Sequence, residues 1–335
     1  MSVVANDDVK EPAGPRDSLA AALDLVPELN RLQQNIAGWI RGCSEEMTTS
    51  LEWQFSGSSK FFRPITVFSC FRATHDAEIG DDERTRALVV ELIHNMTLIV
   101  DDILDQSQYR RDKLTLHSKF GTLPALMASG YIVSEAYRIV QSSPDVIALI
   151  SELIGRLGAA ECLQWRVRSK PLGTEDWRQI ANEDTGSMFE VCACLGTHDE
   201  RLRRYGQLLG VLYHGCDDVA DVRGVTALGG GGDDDIRDGI LTLPASIAIR
   251  NPAVASLFCD PAERVQQKLA EALQAALPEA ERVLDKIATA ARKEAAENAA
   301  DARGLLTLVD YTRTLSQAES KDLATPSPLV TLAAS

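Results

Sequence analysis

Apolar residues recur at intervals of three and four along almost the whole chain, which is the spacing of one face of an α-helix. Alternating β-branched runs bounded by turn residues are scarce. We therefore predict an all-α protein that folds as a large helical bundle. The predicted helices span residues 18–41, 44–55, 61–75, 82–107, 122–142, 145–168, 174–196, 200–224, 243–250, 261–275, 278–300 and 304–317.

No internal repeat and no Pro/Gly/Ser-rich linker divides the middle of the chain, so we predict a single domain over residues 17–317. The polar segments 1–16 and 318–335 are predicted to be disordered tails. The stretch 226–239, TALGGGGDDDIRDG, is predicted to be a mobile loop, because four consecutive glycines oppose a stable helix.

Composition and charge bear on the partners and the location of the protein. The 335 residues carry a net charge of −15, and this charge would repel a phosphate backbone, so nucleic acid is not an expected partner. No apolar run approaches the roughly 18 residues of a membrane span. The polar N-terminus is unlike a signal peptide, and the seven scattered cysteines include no C-x-x-C pair. We therefore expect a cytoplasmic protein.

Two aspartate clusters supply the candidate chemistry. Asp101, Asp102 and Asp105 follow an apolar helical run, and Asp217, Asp218 and Asp221 repeat that arrangement more than a hundred residues later. A single charge run is usually a solvated helix face, but the repetition of D-D-x-x-D indicates a common purpose. Crowded carboxylates repel one another unless cations lie between them. Mg²⁺ takes such oxygens together with substrate phosphates, so the pattern predicts a diphosphate held by several Mg²⁺ ions.

This arrangement favours one reaction class. Metal ions and protein cations that neutralise a diphosphate make it a good leaving group. If the carbon that bears it is allylic, its departure leaves a resonance-stabilised carbocation. Apolar helix faces would hold the hydrocarbon tail and keep water from that cation.

The motifs resemble those of the trans-isoprenyl diphosphate synthases, which have the class I terpenoid synthase fold. SSKFFRP (58–64) is similar to the family's G-G-K-x-x-R-P, DDILDQSQYRR (101–111) to its first aspartate motif with an arginine pair, and DDVADV (217–222) to its second. The motifs occur in the family's order, and the likeness spans about residues 18–317. It implies an isoprenoid synthase bundle that forms a homodimer.

The resemblance also implies roles for individual residues. The principal ligands of three expected Mg²⁺ ions would be Asp101, Asp105 and Asp217, assisted directly or through water by Asp102, Asp218 and Asp221. Arg110 would hold the allylic diphosphate. The diphosphate of isopentenyl diphosphate, the nucleophile, would be held by Lys60, Arg63, His94 and Arg111. Convergent cations are what a second, metal-free diphosphate requires, although each residue taken singly could be a surface charge or, for His94, a core residue.

Two family lysines are missing. The lysine of the family's K-T-[AG] motif is replaced by Asp184, although the threonine of this catalytic motif is kept as Thr185. The lysine of G-K-x-T-x-P is replaced by Ile240. Both lysines normally grip the allylic diphosphate, and each lost contact could weaken it by about 1.5–3 kcal/mol. Compensation could come from Arg204, Arg223 or Arg237.

Other departures bear on the course of the reaction. His214 replaces the family's glutamine and could be a base that takes the final proton, or a neutral hydrogen-bonding substitute. Glu161 and Gln164 stand where the family has G-Q-x-x-D. The short-chain synthases carry bulky aromatics where this chain has Met96 and Thr97. That difference predicts a deeper cavity and a product of about C20 or longer, unless Ser129 and Val133 form a floor.

Three functions follow from these patterns. The leading hypothesis is a Mg²⁺-dependent prenyltransferase that elongates an allylic diphosphate with isopentenyl diphosphate. A terpene cyclase of the same fold is the alternative, favoured by the lost lysines and His214. A cyclase would have no use for the second set of diphosphate-binding residues. A catalytically silent partner subunit is the third, but it would be expected to lose aspartates, and both clusters are complete.

Overall fold

The protein is described by a computed structural model that covers residues 15–57, 59–111, 113–224, 238–262 and 267–317. Most of the predicted tails and of the predicted loop at 226–239 lies outside these ranges, as does Arg237. The described chain is almost entirely helical, which confirms the all-α prediction. Its helices are α1 Pro15–Ala22, α2 Val26–Gly42, α3 Glu45–Phe55, α4 Phe62–Thr74, α5 Asp81–Leu104, α6 Leu116–Phe120, α7 Thr122–Ile139, α8 Pro144–Val167, α9 Thr174–Ala181, α10 Ser187–Thr197, α11 Arg203–Arg223, α12 Leu243–Ala248, α13 Pro252–Cys259, α14 Gln267–Asn298 and α15 Arg303–Thr314.

A small hairpin interrupts the helices after α5. Strands β1 (Tyr109–Arg110) and β2 (Lys113–Leu114) are antiparallel and pair Tyr109 with Leu114 and Arg110 with Lys113. Between the strands, Arg111 has a φ of 52°, in the left-handed region that tight turns require. The sequence did not predict this hairpin, although it carries both arginines of the first motif.

Four predicted helices differ from the structure in their continuity. The helix predicted at 18–41 is divided into α1 and α2, because Asp24 has a φ of 52° and Pro27 lies at the start of α2. The helix predicted at 174–196 is interrupted by a π-helical turn, Asn182–Gly186. The helices predicted at 261–275 and 278–300 are instead one helix, α14, which continues through Pro278.

The chain forms two compact units. The first comprises residues 1–150, 192–201 and 299–307, and the second comprises 151–191, 202–298 and 308–335. In the first unit α5 is central and packs against α4 and α7, with Val89, Leu92 and Ile93 fully buried. In the second unit α11 packs against α14 and the π-helical turn. The single domain expected from the sequence stays a prediction.

Two further expectations concern membranes and cysteines. Among the described helices, none has the combination of length and apolar character that crossing a bilayer requires. All seven cysteines lie in described segments and are free thiols. Cys70, Cys192 and Cys194 are buried in the first unit, where burial raises the pKa of the Cys70 thiol far above its ordinary value.

Candidate active site

The first aspartate cluster lies at the C-terminal end of α5. Asp101 and Asp105 are one helical turn apart and partly exposed, whereas Asp102 is only 3% exposed. Oδ1 of Asp102 accepts a hydrogen bond from Nε of Arg110 at 2.7 Å. Burial raises the pKa of Asp102, and the Arg110 guanidinium opposes that rise. The middle carboxylate therefore positions the arginine that the sequence assigns to the allylic diphosphate.

The hairpin that carries Arg110 and Arg111 is anchored to the end of α3. The indole Nε1 of Trp53 donates to the carbonyl of Leu114 at 3.0 Å. In return the Lys113 ammonium donates to the carbonyl of Trp53 and to Oγ of Ser56. These bonds span about 60 residues of sequence, and they fix the hairpin at its second strand.

A pocket of about 100 Å³ opens between the hairpin, α3 and α5. Its charged and polar lining includes side chains from α5, from the hairpin and from the turn before α4. These are Glu91, His94, Asn95 and Asp102 from α5, Arg110, Arg111 and Lys113 from the hairpin, and Ser59 from the turn. The structure thus brings His94 and Arg111 together, as the sequence predicts, and adds Lys113, Asn95 and Glu91, which the sequence reasoning missed.

His94 is a neutral hydrogen-bond donor in this pocket rather than one of four cations. Burial, reinforced by the nearby Arg63, Arg111 and Arg110, holds the pKa of His94 well below its usual range. Nε2 of His94 lies 3.0 Å from Nη1 of Arg63. Arginine can only donate, so Nε2 accepts and the ring proton is on Nδ1. Among the described residues, buried Nδ1 of His94 has no partner, and an anionic ligand oxygen could supply one.

Lys60 lies in a tight turn between Ser59 and Phe61, which line the pocket, but neither Lys60 nor Arg63 is among the lining residues. The hydroxyl of Ser59 accepts a hydrogen bond from the backbone N–H of Phe61 at 3.2 Å. Phe61 has a φ of 48° and directly precedes α4. The turn therefore holds the backbone on both sides of Lys60, and Arg63 follows in the first turn of α4.

The second aspartate cluster lies near the C-terminal end of α11, in the second unit. Asp217 and Asp221 are partly exposed, and Asp218 is 7% exposed. Oδ2 of Asp218 accepts from Nε1 of Trp177 at 2.7 Å and from the backbone N–H of Leu243 at 2.8 Å. Burial raises the pKa of Asp218, while His214 and these two donors oppose the rise.

The two clusters share one design. In each, the middle aspartate is buried and binds donors from the protein, while the aspartates on either side, one turn apart, remain partly exposed. The resemblance gave Asp102 and Asp218 a share in binding metal, directly or through water. Their contacts favour a positioning role instead, because Asp102 holds Arg110 and Asp218 ties α11 to α9 and α12.

His214 is linked to the position of the missing lysine. Its Nδ1 lies 3.0 Å from Oγ1 of Thr185 and 3.3 Å from Oδ2 of Asp184, and the Thr185 hydroxyl donates to that same Asp184 oxygen. Burial alone would lower the pKa of His214, but Asp218 and Asp184 outweigh it and raise the pKa to about 9. The imidazole is therefore charged at neutral pH, which fits neither a base nor a neutral glutamine substitute.

The π-helical turn presents Asp184 and Thr185 to α11. At Gly210 an added Cβ would lie 2.6 Å from the carbonyl oxygen of Thr185, so only glycine permits this approach. A π-helical turn widens the backbone by one residue and is often found at functional sites. The sequence contains Gly186 and Gly210 but no pattern from which such a turn could have been predicted.

Two of the three arginines proposed as compensation, Arg223 and Arg204, lie in described segments and do not replace the lost lysines. Arg223 pairs with Glu281 at 2.6 Å and donates to the carbonyl of Ser316. Arg204 is thirteen residues before Asp217 on α11, which corresponds to roughly 20 Å along the helix. Ile240 is a half-buried apolar residue after Gly239. The charge of Asp184 is instead balanced locally by His214.

The residues assigned to product length lie away from the pocket lining. Met96 and Thr97 are half-buried on α5, and the Thr97 hydroxyl donates to the carbonyl of His94 at 2.8 Å. Ser129 is buried on α7, which packs against α5, and its hydroxyl donates to the carbonyl of Leu126. Glu161 and Gln164 are half-buried on α8 in the second unit.

The residues fit Mg²⁺ as ligands. Each cluster offers two partly exposed carboxylates one helical turn apart, and hard oxygen donors are what Mg²⁺ requires. The buried middle aspartates fix the helix ends that carry those donors. No thiol or imidazole belongs to either set of outer ligands, so a softer metal is disfavoured.

An all-α chain with two such aspartate clusters and a pocket lined by arginines, a lysine and a neutral histidine defines a class of enzyme that binds prenyl diphosphates. The sequence profile of the family described as polyprenyl synthetase matches residues 44–290. The chain belongs to this polyprenyl synthetase family. It is a trans-prenyltransferase of the polyprenyl diphosphate synthase type.

Individual relatives agree with this assignment. The chain is 29% identical over 310 residues to nonaprenyl diphosphate synthase of Mycobacterium tuberculosis, an alignment that covers 84% of this chain and 90% of the relative. It is 29% identical over 241 residues to octaprenyl diphosphate synthase of Escherichia coli, covering 66% and 73%.

Solved structures share the fold. The polyprenyl synthase from Caulobacter crescentus, complexed with calcium and isoprenyl diphosphate, superposes with a TM-score of 0.78 at 23% identity, covering 91% of this chain and 99% of that one. Geranylgeranyl pyrophosphate synthetase from Pyrococcus horikoshii gives 0.76 at 20% identity, covering 90% and 99%.

Proposed function

We propose that this protein is a Mg²⁺-dependent synthase of long-chain trans-prenyl diphosphates, with isopentenyl diphosphate as the repeated building block. The observation that carries the proposal is the pocket of the first unit. It combines Arg111, Lys113 and the unpartnered Nδ1–H of His94. These are donors for a diphosphate that needs no metal, and a cyclase, which binds one diphosphate, would have no use for them.

The chain's own residues then divide the work of the reaction. Arg110, held by Asp102, grips the allylic diphosphate, and Lys60, Arg63, His94 and Arg111 grip that of isopentenyl diphosphate. Asp101 and Asp105 in the first unit, and Asp217 and Asp221 in the second, would hold Mg²⁺, which would supply neutralising charge for the leaving diphosphate. The allylic C1–O bond breaks and diphosphate leaves, C4 of isopentenyl diphosphate bonds to C1, and the released diphosphate takes the proton lost from C2 of the added unit.

We propose a product longer than the C20 expected from the sequence. The relatives aligned over most of the chain are named as octaprenyl and nonaprenyl synthases, which corresponds to C40 and C45 products. The absence of aromatic residues at Met96 and Thr97 is consistent with such a length. Similarity of fold does not select the length, since structures named as geranylgeranyl, heptaprenyl and decaprenyl synthases superpose about equally well.

The test is a product analysis. The purified protein is incubated with Mg²⁺ and dimethylallyl, geranyl, farnesyl or geranylgeranyl diphosphate, each with and without isopentenyl diphosphate. Hydrocarbons and phosphatase-released alcohols are then separated by length. We expect linear alcohols near C40–C45 that require isopentenyl diphosphate. Products that end at C20 would overturn the chain length, and a cyclic product made without isopentenyl diphosphate would overturn the synthase.

A further inference from the structure

A buried carboxylate with no assigned role lies in the wall of the diphosphate pocket. Glu91 of α5 is 2% exposed and lines the pocket less than one turn before His94. A buried acid is unfavourable unless it is hydrogen-bonded or paired with charge. Its position in a pocket built to bind an anion makes that burial harder to explain as packing.

Glu91 is hydrogen-bonded to the turn that carries Lys60. Its Oε1 accepts from the Ser59 hydroxyl at 3.0 Å and from Nδ2 of Asn95 at 3.2 Å. The same Ser59 oxygen accepts from the backbone N–H of Phe61. Glu91 is therefore connected through one hydroxyl to the residues on both sides of Lys60.

A second branch of this network reaches α3. Nε2 of Gln54 donates to Oδ1 of Asn95 at 3.4 Å, while Nδ2 of Asn95 also donates to the carbonyl of Glu91 at 2.9 Å. The network thus joins α3, α5 and the 59–61 turn, and its members Gln54, Ser59, Glu91 and Asn95 all line the pocket.

The charges around Glu91 come from the diphosphate-binding residues. Burial raises its pKa to about 7, and Ser59, Arg63, Asn95 and Arg111 limit that rise. From α10, the buried Cys192 also lies near Glu91, but burial raises the pKa of this thiol far above neutrality, so it brings no charge. Among the described residues, the charged neighbours of Glu91 include two guanidiniums, both assigned to the same substrate.

We propose that Glu91 is a positioning residue of the isopentenyl diphosphate subsite, which fixes the 59–61 turn through Ser59 and orients Arg63 and Arg111 toward the diphosphate. The inference rests on the proposed function of that pocket. A neutral glutamine could accept both hydrogen bonds, so hydrogen bonding alone does not require an acid here. A carboxylate also attracts the two guanidiniums, as their lowering of its pKa shows, and a glutamine would not.

Three variants separate positioning from folding. E91Q keeps an acceptor for Ser59 and Asn95 but removes the charge. S59A keeps the Glu91 carboxylate and the guanidiniums but removes the hydroxyl that links Glu91 to the turn. The matched control is E83Q, because Glu83 is a second buried glutamate on α5, two turns from Glu91 and bonded to the backbone N–H of Gly80 instead of the pocket.

The readout is the Michaelis constant for each substrate, with thermal unfolding as a folding check. We expect E91Q and S59A to raise KM for isopentenyl diphosphate about fivefold or more, the equivalent of one hydrogen bond. KM for the allylic diphosphate should change less than about twofold, and E83Q should change neither. Calorimetric titration with inorganic diphosphate, without Mg²⁺, should show the same loss in both variants.

Failure of the role proposed for Glu91 can be distinguished from failure of the proposed function. If wild-type protein makes no elongated product, the synthase assignment fails. If wild-type protein elongates normally and E91Q and S59A behave like E83Q, the role of Glu91 fails. Equal increases in both KM values, or tighter binding of inorganic diphosphate by E91Q, would also overturn it, because those results indicate general loosening or simple removal of a repulsive charge.

Discussion

At the scale of single residues, the two aspartate clusters divide into carboxylates that hold the protein together and carboxylates that are available to metal. Asp218 accepts two buried donors, whereas its neighbour Asp217 is partly exposed. The same division separates Asp102 from Asp101. Because adjacent residues on a helix point about 100° apart, a D-D pair necessarily aims its two carboxylates in different directions.

This division predicts opposite effects for two adjacent substitutions. D218A leaves the N–H groups of Trp177 and Leu243 buried without an acceptor, so the free energy of unfolding should fall by about 2–4 kcal/mol. D217A should change it by less than about 0.5 kcal/mol while abolishing Mg²⁺-dependent turnover. Urea unfolding and the product assay check both values. Equal losses of stability in the two variants would contradict the division.

Asp184 and His214 form a second pair of residues, and their opposite charges compensate each other. Where the resemblance leads us to expect lysine and glutamine, this chain has an acid and a charged imidazole joined through Thr185. The net charge of the pair is one unit lower than that of lysine with glutamine. The double variant D184K/H214Q should therefore lower KM for the allylic diphosphate about tenfold, the lower end of one charge-assisted contact.

The single variants provide the control for that prediction. D184K alone places an ammonium beside the charged His214, and H214Q alone removes the imidazolium that pairs with Asp184, so each should lose thermal stability. The double variant should recover it, and the coupling is measured as the difference from additivity. Additive effects would show that the two positions act independently.

Glu91 predicts a pH dependence of stability. Its folded-state pKa of about 7 exceeds the ordinary value of 4.5. The folded protein therefore keeps this proton to a higher pH than the unfolded chain, and the free energy of unfolding falls as pH rises between these values. The advantage of E91Q over wild type should grow by on the order of 3 kcal/mol from about pH 4.5 to pH 8. Urea unfolding at several pH values tests this, and a pH-independent difference would refute it.

At the scale of elements, the hairpin β1–β2 determines where the paired arginines point. The hairpin is only two residues per strand, so its geometry depends on anchors outside it, chiefly Trp53 and Lys113. Arg110 lies in β1 and Arg111 in the turn, which places the two diphosphate contacts on one short segment. Loss of the anchor should therefore weaken the binding of both substrates.

W53F tests this anchor. Phenylalanine retains most of the ring but cannot donate to the carbonyl of Leu114, so KM should rise severalfold for both substrates, with a loss of about 0.5–1.5 kcal/mol of stability. The control is W39F, since Trp39 makes an equivalent bond from Nε1 to Glu135 at 3.1 Å outside the pocket. It should lose similar stability without a change in either KM. An unchanged KM in W53F would argue against the anchor.

At the scale of the whole molecule, the homodimer implied by the resemblance stays a prediction. Helix α7 exposes Leu123 (68%), Leu126 (43%) and Met127 (53%) on one face. Exposed apolar side chains at this spacing are typical of an interface. Wild-type protein should sediment as a dimer, and L123E/M127E as a monomer with an unchanged helical circular dichroism spectrum. A monomeric wild type would refute the expectation.

Much of the fold and of the site could be predicted from the sequence. The long helices follow from the 3.6-residue period, which local sequence encodes directly. The break at Asp24, the turn at Arg111 and the π-helical turn depend on single backbone conformations, which tertiary packing selects. Pro27 is a sequence signal for the first of these breaks, although the helix predicted at 18–41 ran through it.

The charge states of the two histidines could not be predicted for a different reason. His94 is neutral because it is buried and arginines from α4 and the hairpin surround it, and His214 is charged because Asp218 and Asp184 lie beside it. Asp218 is four positions from His214 on the same helix, but the other partners are separated from the histidines by about 16 to 31 positions in the sequence. Only the folded structure shows which of them are close enough to change a pKa.

The indole of Trp53 gives the pocket an optical signature of its own. Its ring lies under the Lys119 ammonium at 3.0 Å and beside that of Lys113 at 4.2 Å, and its edge lies on Phe120. Positive charge near an indole alters the energy and the yield of its emission. An anion that draws Lys113 toward it would change that field, so fluorescence, with W53F as the blank, could follow occupancy of the pocket in real time without a labelled substrate.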